Sequence, residues 1–255
     1  MNIGSPNPKD RFTSRVTDYR KFRPTYPLAV VSLLGNACTI ADIGSGTGIF
    51  SGLLLEAGHT VFAIEPNSAM RETAEAAYSG HERFHSVPGE AEATLLGDKS
   101  VDAITAAQSF HWFATPRAVH EFARILADGG RIMLLWNERK TNTNRFHKEY
   151  EELLQRYGTD YAVIDHRNIT AEKVQKLFQG WDCQIHKEEN HQLMDLQGLK
   201  GRIESSSYSP PRSHPHHQPL MEGIESLFHL ESTGGLIRME YDCVVYLLQK
   251  PDEGK

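Results

Sequence analysis

Thr39-Ile40-Ala41-Asp42-Ile43-Gly44-Ser45-Gly46-Thr47-Gly48-Ile49-Phe50 decides the fold. Thr39–Asp42 reads as a short strand, Gly44–Gly48 as a turn, and Ile49–Ala57 as a helix. Ile49, Phe50, Leu53 and Leu54 share one face of that helix, and Gly58 ends it. The same rhythm continues downstream. Thr60–Glu65 predicts a second strand, and Ser68 opens a helix with Met70, Ala74 and Ala77 turned inward. Arg83–Val87 and Asp102–Gln108 predict strands three and four. Pro116–Ala127 is a helix with proline at its start and Gly129-Gly130 after it. Arg131–Trp136 is apolar on both faces, as a central parallel strand is. Strands alternating with helices from 39 to 137 imply right-handed crossovers and an α/β, doubly wound parallel sheet.

After Asn137 the rhythm loosens. Asn144–Tyr157, Thr170–Gln179 and Pro219–Leu230 predict helices, and Cys183–Asn190 and Leu236–Gln249 predict strands six and seven. Ser205–His217, rich in serine, proline and histidine, predicts a loop. The expected organisation is an N-terminal arm and lid helix over 1–35, a cofactor-binding core over 36–140, and lid helices with closing strands of the same domain over 141–255.

The chain has 255 residues, 27 Lys+Arg against 33 Asp+Glu, and a net charge of −6. That is the wrong sign for wrapping a nucleic-acid backbone. With 39% hydrophobic residues it is neither disordered nor membrane-spanning in composition. The start, Met1 to Phe12, has no apolar signal core, and the three cysteines form no CxxC pair. A reduced, cytoplasmic protein is expected.

The glycine turn lies where open α/β sheets bind ligands, beyond the carboxyl ends of the strands. A dinucleotide turn, G-x-G-x-x-G from Gly44, needs its third glycine at position 49, which is Ile49. A Walker loop needs Gly-Lys-Ser/Thr, which is absent. Asp42 repels a pyrophosphate but suits an ammonium group, and Glu65, ending the second strand, suits both hydroxyls of a ribose. A ligand with a ribose, a cationic amino-acid tail and no phosphate is S-adenosylmethionine, which becomes S-adenosylhomocysteine after losing its methyl.

These residues resemble the class I S-adenosylmethionine-dependent methyltransferases of the type 11 domain. Asp42, Gly44, Ser45, Gly46 and Gly48 match the first motif, and Glu65-Pro66 the acidic residue after the second strand. Gly89-Glu90-Ala91-Glu92 stands where the family places its adenine contacts, so the resemblance implies Glu90 and Ala91 there. Phe122–Gly130 resembles the usual helix and glycine turn. Phe22-Arg23-Pro24-Thr25-Tyr26-Pro27 resembles the small-molecule subgroup that includes trans-aconitate methyltransferase. The resemblance covers roughly residues 12–140. It implies a seven-stranded Rossmann-like sheet with an antiparallel last strand, helices on both faces, and lid insertions at both ends.

Within that frame, Gln108 closes the fourth strand and is expected to face cofactor or substrate. His111 follows as a base, a hydrogen-bond donor or a structural residue. Phe110 and Trp112 are expected to wall the pocket. The resemblance makes the segment holding Tyr19 a lid, so Tyr19 joins His111 and Gln108 as a candidate catalytic residue. Arg202, Arg212 and Arg238 are candidate clamps for an acidic acceptor. His214, His216 and His217 lack an acid or cysteine at metal spacing, so no metal is expected. The expected activity is methyl transfer to a small-molecule oxygen such as a carboxylate, by a monomer or homodimer without nucleic-acid or membrane partners. The alternatives are a regulatory protein that binds S-adenosylmethionine without turnover, or a methyltransferase acting on protein or RNA.

Overall fold

The computed structural model describes residues 20–159, 161, 169–206 and 208–250. Among these residues seven strands form one sheet in the order β3-β2-β1-β4-β5-β7-β6. They are β1 (Thr39–Ile43), β2 (Thr60–Ile64), β3 (Phe84–Val87), β4 (Val101–Ala107), β5 (Leu126–Arg139), β6 (Asp182–Met194) and β7 (Ile237–Gln249). Pairings among β1 to β5 are parallel, and β7 runs antiparallel between β5 and β6. The parallel core is the one the strand–helix alternation predicts, and the reversed β7 is what the family resemblance implies. The chain order turns back between β1 and β4, which opens a crevice at the carboxyl ends of those strands.

Alternation along β5 sets the two layers. Ile132, Leu134 and Trp136 pack with Phe110, Phe122, Ile125 and Phe178 on one face. Met133 and Leu135 pack with Val30, Leu34, Phe50 and Leu54 on the other. All five strand residues are buried, as a central strand covered on both faces requires. Helices α1 (Leu28–Ser32) and α2 (Ile49–Glu56) supply the second layer, while α4 (Pro116–Ile125) and α6 (Ala171–Leu177) supply the first. Between them in sequence, α3 (Ser68–Ala77) follows β2, capped by Asn67, whose side chain accepts from the Met70 amide.

The overhanging ends of β6 and β7 build a third cluster. Met239 and Tyr241 of β7 pack there against α5 (Arg145–Tyr157), α7 (Leu196–Glu204) and α8 (His217–Glu231). Because β7 is antiparallel, its first residues project past the carboxyl ends of the parallel strands. Three helices therefore stand beside the crevice.

Several boundaries differ from the sequence reading. Helix α7 was not expected: Gly198 and Gly201 interrupt its apolar spacing, and Asp195 caps it by accepting from the Gly198 amide. Gly201 has a packing reason, since a Cβ there would lie 2.4 Å from the Phe22 ring. Strand β6 is four residues longer at its carboxyl end than expected, and α8 begins at His217 inside the expected loop. Phe110 does not wall a pocket. It is fully buried, meeting Phe113 edge-to-face and Phe122 and Phe178 at tilted angles. Tyr19 and most of the N-terminal arm lie outside the described residues.

Candidate active site

The glycine turn places Gly44, Gly46 and Gly48 at positive φ, a region costly for residues with a Cβ. At Gly44 space adds to the demand, because a Cβ would lie 2.8 Å from that of Ser109. Ser109 in turn donates to the Ile43 carbonyl at 2.7 Å, locking the end of β1 to the turn after β4. Arg20 donates to the Thr47 carbonyl at 2.7 Å and to the Tyr78 hydroxyl at 3.1 Å, so the N-terminal segment reaches the turn.

Above this turn is a cavity of about 420 Å³. Its walls bring together Asp42, Gly44, Ser45, Gly46, Glu65, Pro66, Glu90, Ala91 and Gln108. Nine of the residues singled out for the cofactor thus share one site; Gly48, the tenth, sits just below it as the N-cap of α2. Trp112 and Phe113 line the cavity. His111 is not among the lining residues of this cavity or its neighbour. Its Nδ1 faces the Trp136 indole nitrogen at 3.4 Å, and its ring packs on Trp112.

Asp42 is buried, and its two oxygens accept from Ser51 at 2.6 Å and Thr105 at 2.9 Å. Burial pushes its carboxyl up to about 6, against the two hydroxyl hydrogen bonds that pull it down. Glu65 is anchored by the Gly46 and Asn67 amides at 2.9 and 2.8 Å. Burial raises its carboxyl as well, opposed by those amides and by Arg71. Both carboxylates are held in fixed orientations, and for both, burial outweighs the groups that favour the charged form. The Ser45 and Thr47 hydroxyls are buried without a hydrogen-bond partner among the described residues. Such a set of unsatisfied acceptors, donors and carboxylates fits a polar, cationic ligand better than a structural turn.

Gln108 adopts φ +55°, a left-handed conformation that costs of order 1 kcal/mol for a residue with a side chain. Its Nε2 donates to the Asn137 carbonyl at 3.2 Å. Asn137, buried at the end of β5, donates to the Thr25 carbonyl at 3.1 Å and accepts from Asn190 of β6 at 3.0 Å. This network ties the N-terminal segment, β4, β5 and β6 together at the crevice.

A second cavity, of about 460 Å³, adjoins the first and shares Arg23, Gln108, Asn137 and Arg202 in its walls. Arg139, Tyr161 and Tyr208 complete its interior. Of the three arginines considered as clamps, only Arg202 is here. Arg212 is exposed and pairs with Glu204, and Arg238 is exposed beside Glu240. The sequence reading missed Asn137, Arg139 and Tyr208. Asn137 directly follows the apolar run of β5, where a polar residue at a strand's carboxyl end is a usable signal. Tyr208 sits in an irregular segment that carries none.

Residues 41–134 match a family described as a methyltransferase domain. That match takes in the glycine turn, Glu65 and nearly all of the first four strands, but spans well under half of the chain. The chain is 36% identical over 149 residues to an uncharacterized methyltransferase of Mycobacterium tuberculosis, a match that covers 58% of this chain and 60% of that protein. It is 38% identical over 94 residues to the malonyl-acyl-carrier-protein O-methyltransferase of Methylococcus capsulatus, covering 36% of this chain and 34% of that one. The chain therefore spans about 60% or less of the length of these curated relatives. Among solved structures, a putative type II methyltransferase from Anaeromyxobacter dehalogenans superposes with a TM-score of 0.62 at 20% identity, over 90% of this chain and 97% of that one. At that identity the likeness bears on the fold. These matches support the methyltransferase domain without singling out the trans-aconitate subgroup. Among the described residues no helix is long and apolar enough to cross a membrane.

Proposed function

We propose that this methyltransferase domain transfers the methyl group of S-adenosylmethionine to an oxygen of a small, acidic acceptor, with a carboxylate the favoured oxygen. One observation carries the reading: the glycine turn, Asp42 and Glu65 line a cavity that shares Arg23, Gln108, Asn137 and Arg202 with a second, arginine-lined one. Bound S-adenosylmethionine supplies a methyl group already activated by its sulfonium.

Every other contribution comes from the chain. Asp42 offers its carboxylate to the ligand's ammonium, and Glu65 offers the lone pairs its amide donors leave open to ribose hydroxyls. The Gly44–Gly48 backbone allows close approach, and Glu90 and Ala91 border the adenine. Gln108 marks the junction of the two cavities and orients the acceptor there. A carboxylate acceptor needs no general base, so alignment and exclusion of water supply most of the rate. His111 lies behind Trp112 and acts by holding that wall rather than by moving a proton. The Methylococcus relative is named for O-methylation of a malonyl group, which supports an oxygen acceptor. The net charge of −6 favours a small acceptor over RNA. A cytoplasmic location fits the cysteine usage.

The test is a screen of small carboxylic acids, alcohols and amines with S-adenosylmethionine, read by release of S-adenosylhomocysteine. Turnover of an acid, with no comparable turnover of amines, is expected. Turnover restricted to amines would contradict the oxygen acceptor.

A further inference from the structure

The second cavity holds two guanidinium groups whose surroundings are incomplete. Arg202 is buried, donates to the Ser206 hydroxyl at 2.8 Å, and has tyrosines 150, 208 and 241 as its charge neighbours. Among the described residues it meets hydroxyls and no carboxylate, and its Nε is buried without a partner. Arg139 lies over the Tyr150 ring at 4.7 Å and gives one Nη to Glu151 and Tyr161. Its other Nη is likewise buried without a partner. A buried guanidinium with open donors is costly unless an anion completes it.

The charge balance of the walls points the same way. Arg23, Arg139, Lys140 and Arg202 line the cavity against Glu138 and Asp242. Asp242 is already engaged by Lys140 at 3.3 Å and Lys187 at 2.7 Å. Tyr208 reports the resulting field. Burial alone would push its phenol up, yet Arg202, Arg139 and Arg23 outweigh burial and draw it below its ordinary value.

We propose that the second cavity is an anchor for a carboxylate or phosphate group of the acceptor, held by Arg139 and Arg202 at a distance from the atom that is methylated. This rests on the methyl-transfer reading above and adds that the acceptor carries an anionic group besides its methylated oxygen. The planar forks of the two arginines suit a bidentate anion, and the shared wall at Gln108 and Asn137 joins the anchor to the cofactor cavity.

The experiment is calorimetry on the full chain saturated with S-adenosylhomocysteine, titrated with succinate and, separately, with inorganic phosphate. Saturable binding of one of them is expected, and which one binds distinguishes a carboxyl from a phosphoryl anchor. Arg202→Met should weaken that binding by about tenfold or more, the loss expected for a charged hydrogen bond. Arg212→Met, at an exposed position, should leave both that binding and S-adenosylhomocysteine affinity unchanged. Where circular dichroism shows Arg202→Met unfolded, Arg139→Lys and Arg202→Lys replace it, each expected to weaken binding several-fold by exchanging a fork for a point charge. No saturable binding of either anion, or binding that these variants leave intact, overturns the anchor. Anion binding without S-adenosylhomocysteine binding would support the anchor and contradict the methyl-transfer reading.

Discussion

Asp42 shows what one residue gives up for a site. Its carboxyl is pushed from 3.8 to about 6 by burial. Between those values the unfolded chain has released the proton and the folded chain still holds it. Stability therefore falls as pH rises through that window, by roughly 3 kcal/mol for a shift of about two units. Asp42→Asn removes the ionised group while keeping partners for Ser51 and Thr105. At pH 7 it should match or exceed the wild type in urea denaturation, and bind S-adenosylmethionine at least about tenfold more weakly. A variant clearly less stable than the wild type would show that Asp42 is structural. The same carboxyl sets a pH dependence on binding. An ammonium is attracted by the ionised form, so affinity should rise from pH 5 to pH 7, with its midpoint below the free value because the ligand itself favours ionisation. Calorimetry across that range checks the sign; a flat profile would remove Asp42 from the ammonium's surroundings.

Among the elements, α4 and α7 make different demands. On α4, Glu121 accepts from the amide and hydroxyl of Thr94 at 2.8 and 2.6 Å and from Arg124 through both oxygens. The Arg124 hydrogen bonds dominate over burial and hold its carboxyl down at about 2. Its contribution is present above the unfolded value of 4.5 and is lost as pH falls from there towards 2. Glu121→Ala strands the Thr94 donors and should cost roughly 2–3 kcal/mol in denaturant melts at pH 7, a loss that shrinks in acid. Thr94 follows the Gly89–Glu92 segment, so that variant should also loosen the cavity's adenine side. On α7, Gly201→Ala drives a methyl into the Phe22 ring. It should displace the 20–27 segment from the crevice and lower turnover several-fold while leaving the melting temperature within a few degrees of wild type. A full loss of folding would instead make that contact part of the core.

The difference between these two helices also explains what the sequence discloses. Helix α4 has a proline start and an apolar face, so periodicity finds it, although it ends at Ile125, two residues before the expected Ala127, and Gly129-Gly130 fall inside β5 rather than ending the helix. Helix α7 carries two glycines, one of them needed for a neighbour 179 positions away in the chain (Phe22 to Gly201), and no local rule reports that. The residues proposed for the cofactor lie on short turns after consecutive strands, where spacing alone orders them. The arginine-lined cavity is assembled from the ends of β5 and β7, from α7 and from the irregular segment at Tyr208. Its members become neighbours only once the sheet closes, which is why Arg139 and Tyr208 were invisible and Arg202 was indistinguishable from Arg212 and Arg238.

For the molecule as a whole, the seven-stranded sheet acts as a frame that brings two cavities to one edge. The core strands carry the glycine-turn cavity, and the overhanging β6–β7 pair with its three helices stands beside the second, which the proposed function assigns to cofactor and acceptor respectively. The net charge of −6 is thereby distributed unevenly. Carboxylates Asp42 and Glu65 line the first cavity, while the neighbouring one gathers arginines, a division that suits the cationic cofactor and anionic acceptor proposed above. The most direct measurement of this account is calorimetric titration of the wild type and Glu65→Ala with S-adenosylmethionine and S-adenosylhomocysteine. It predicts one site per chain with micromolar affinity in the wild type and about a tenfold or greater loss in Glu65→Ala. No binding by the wild type at millimolar ligand, or equal affinity in the two proteins, would contradict it.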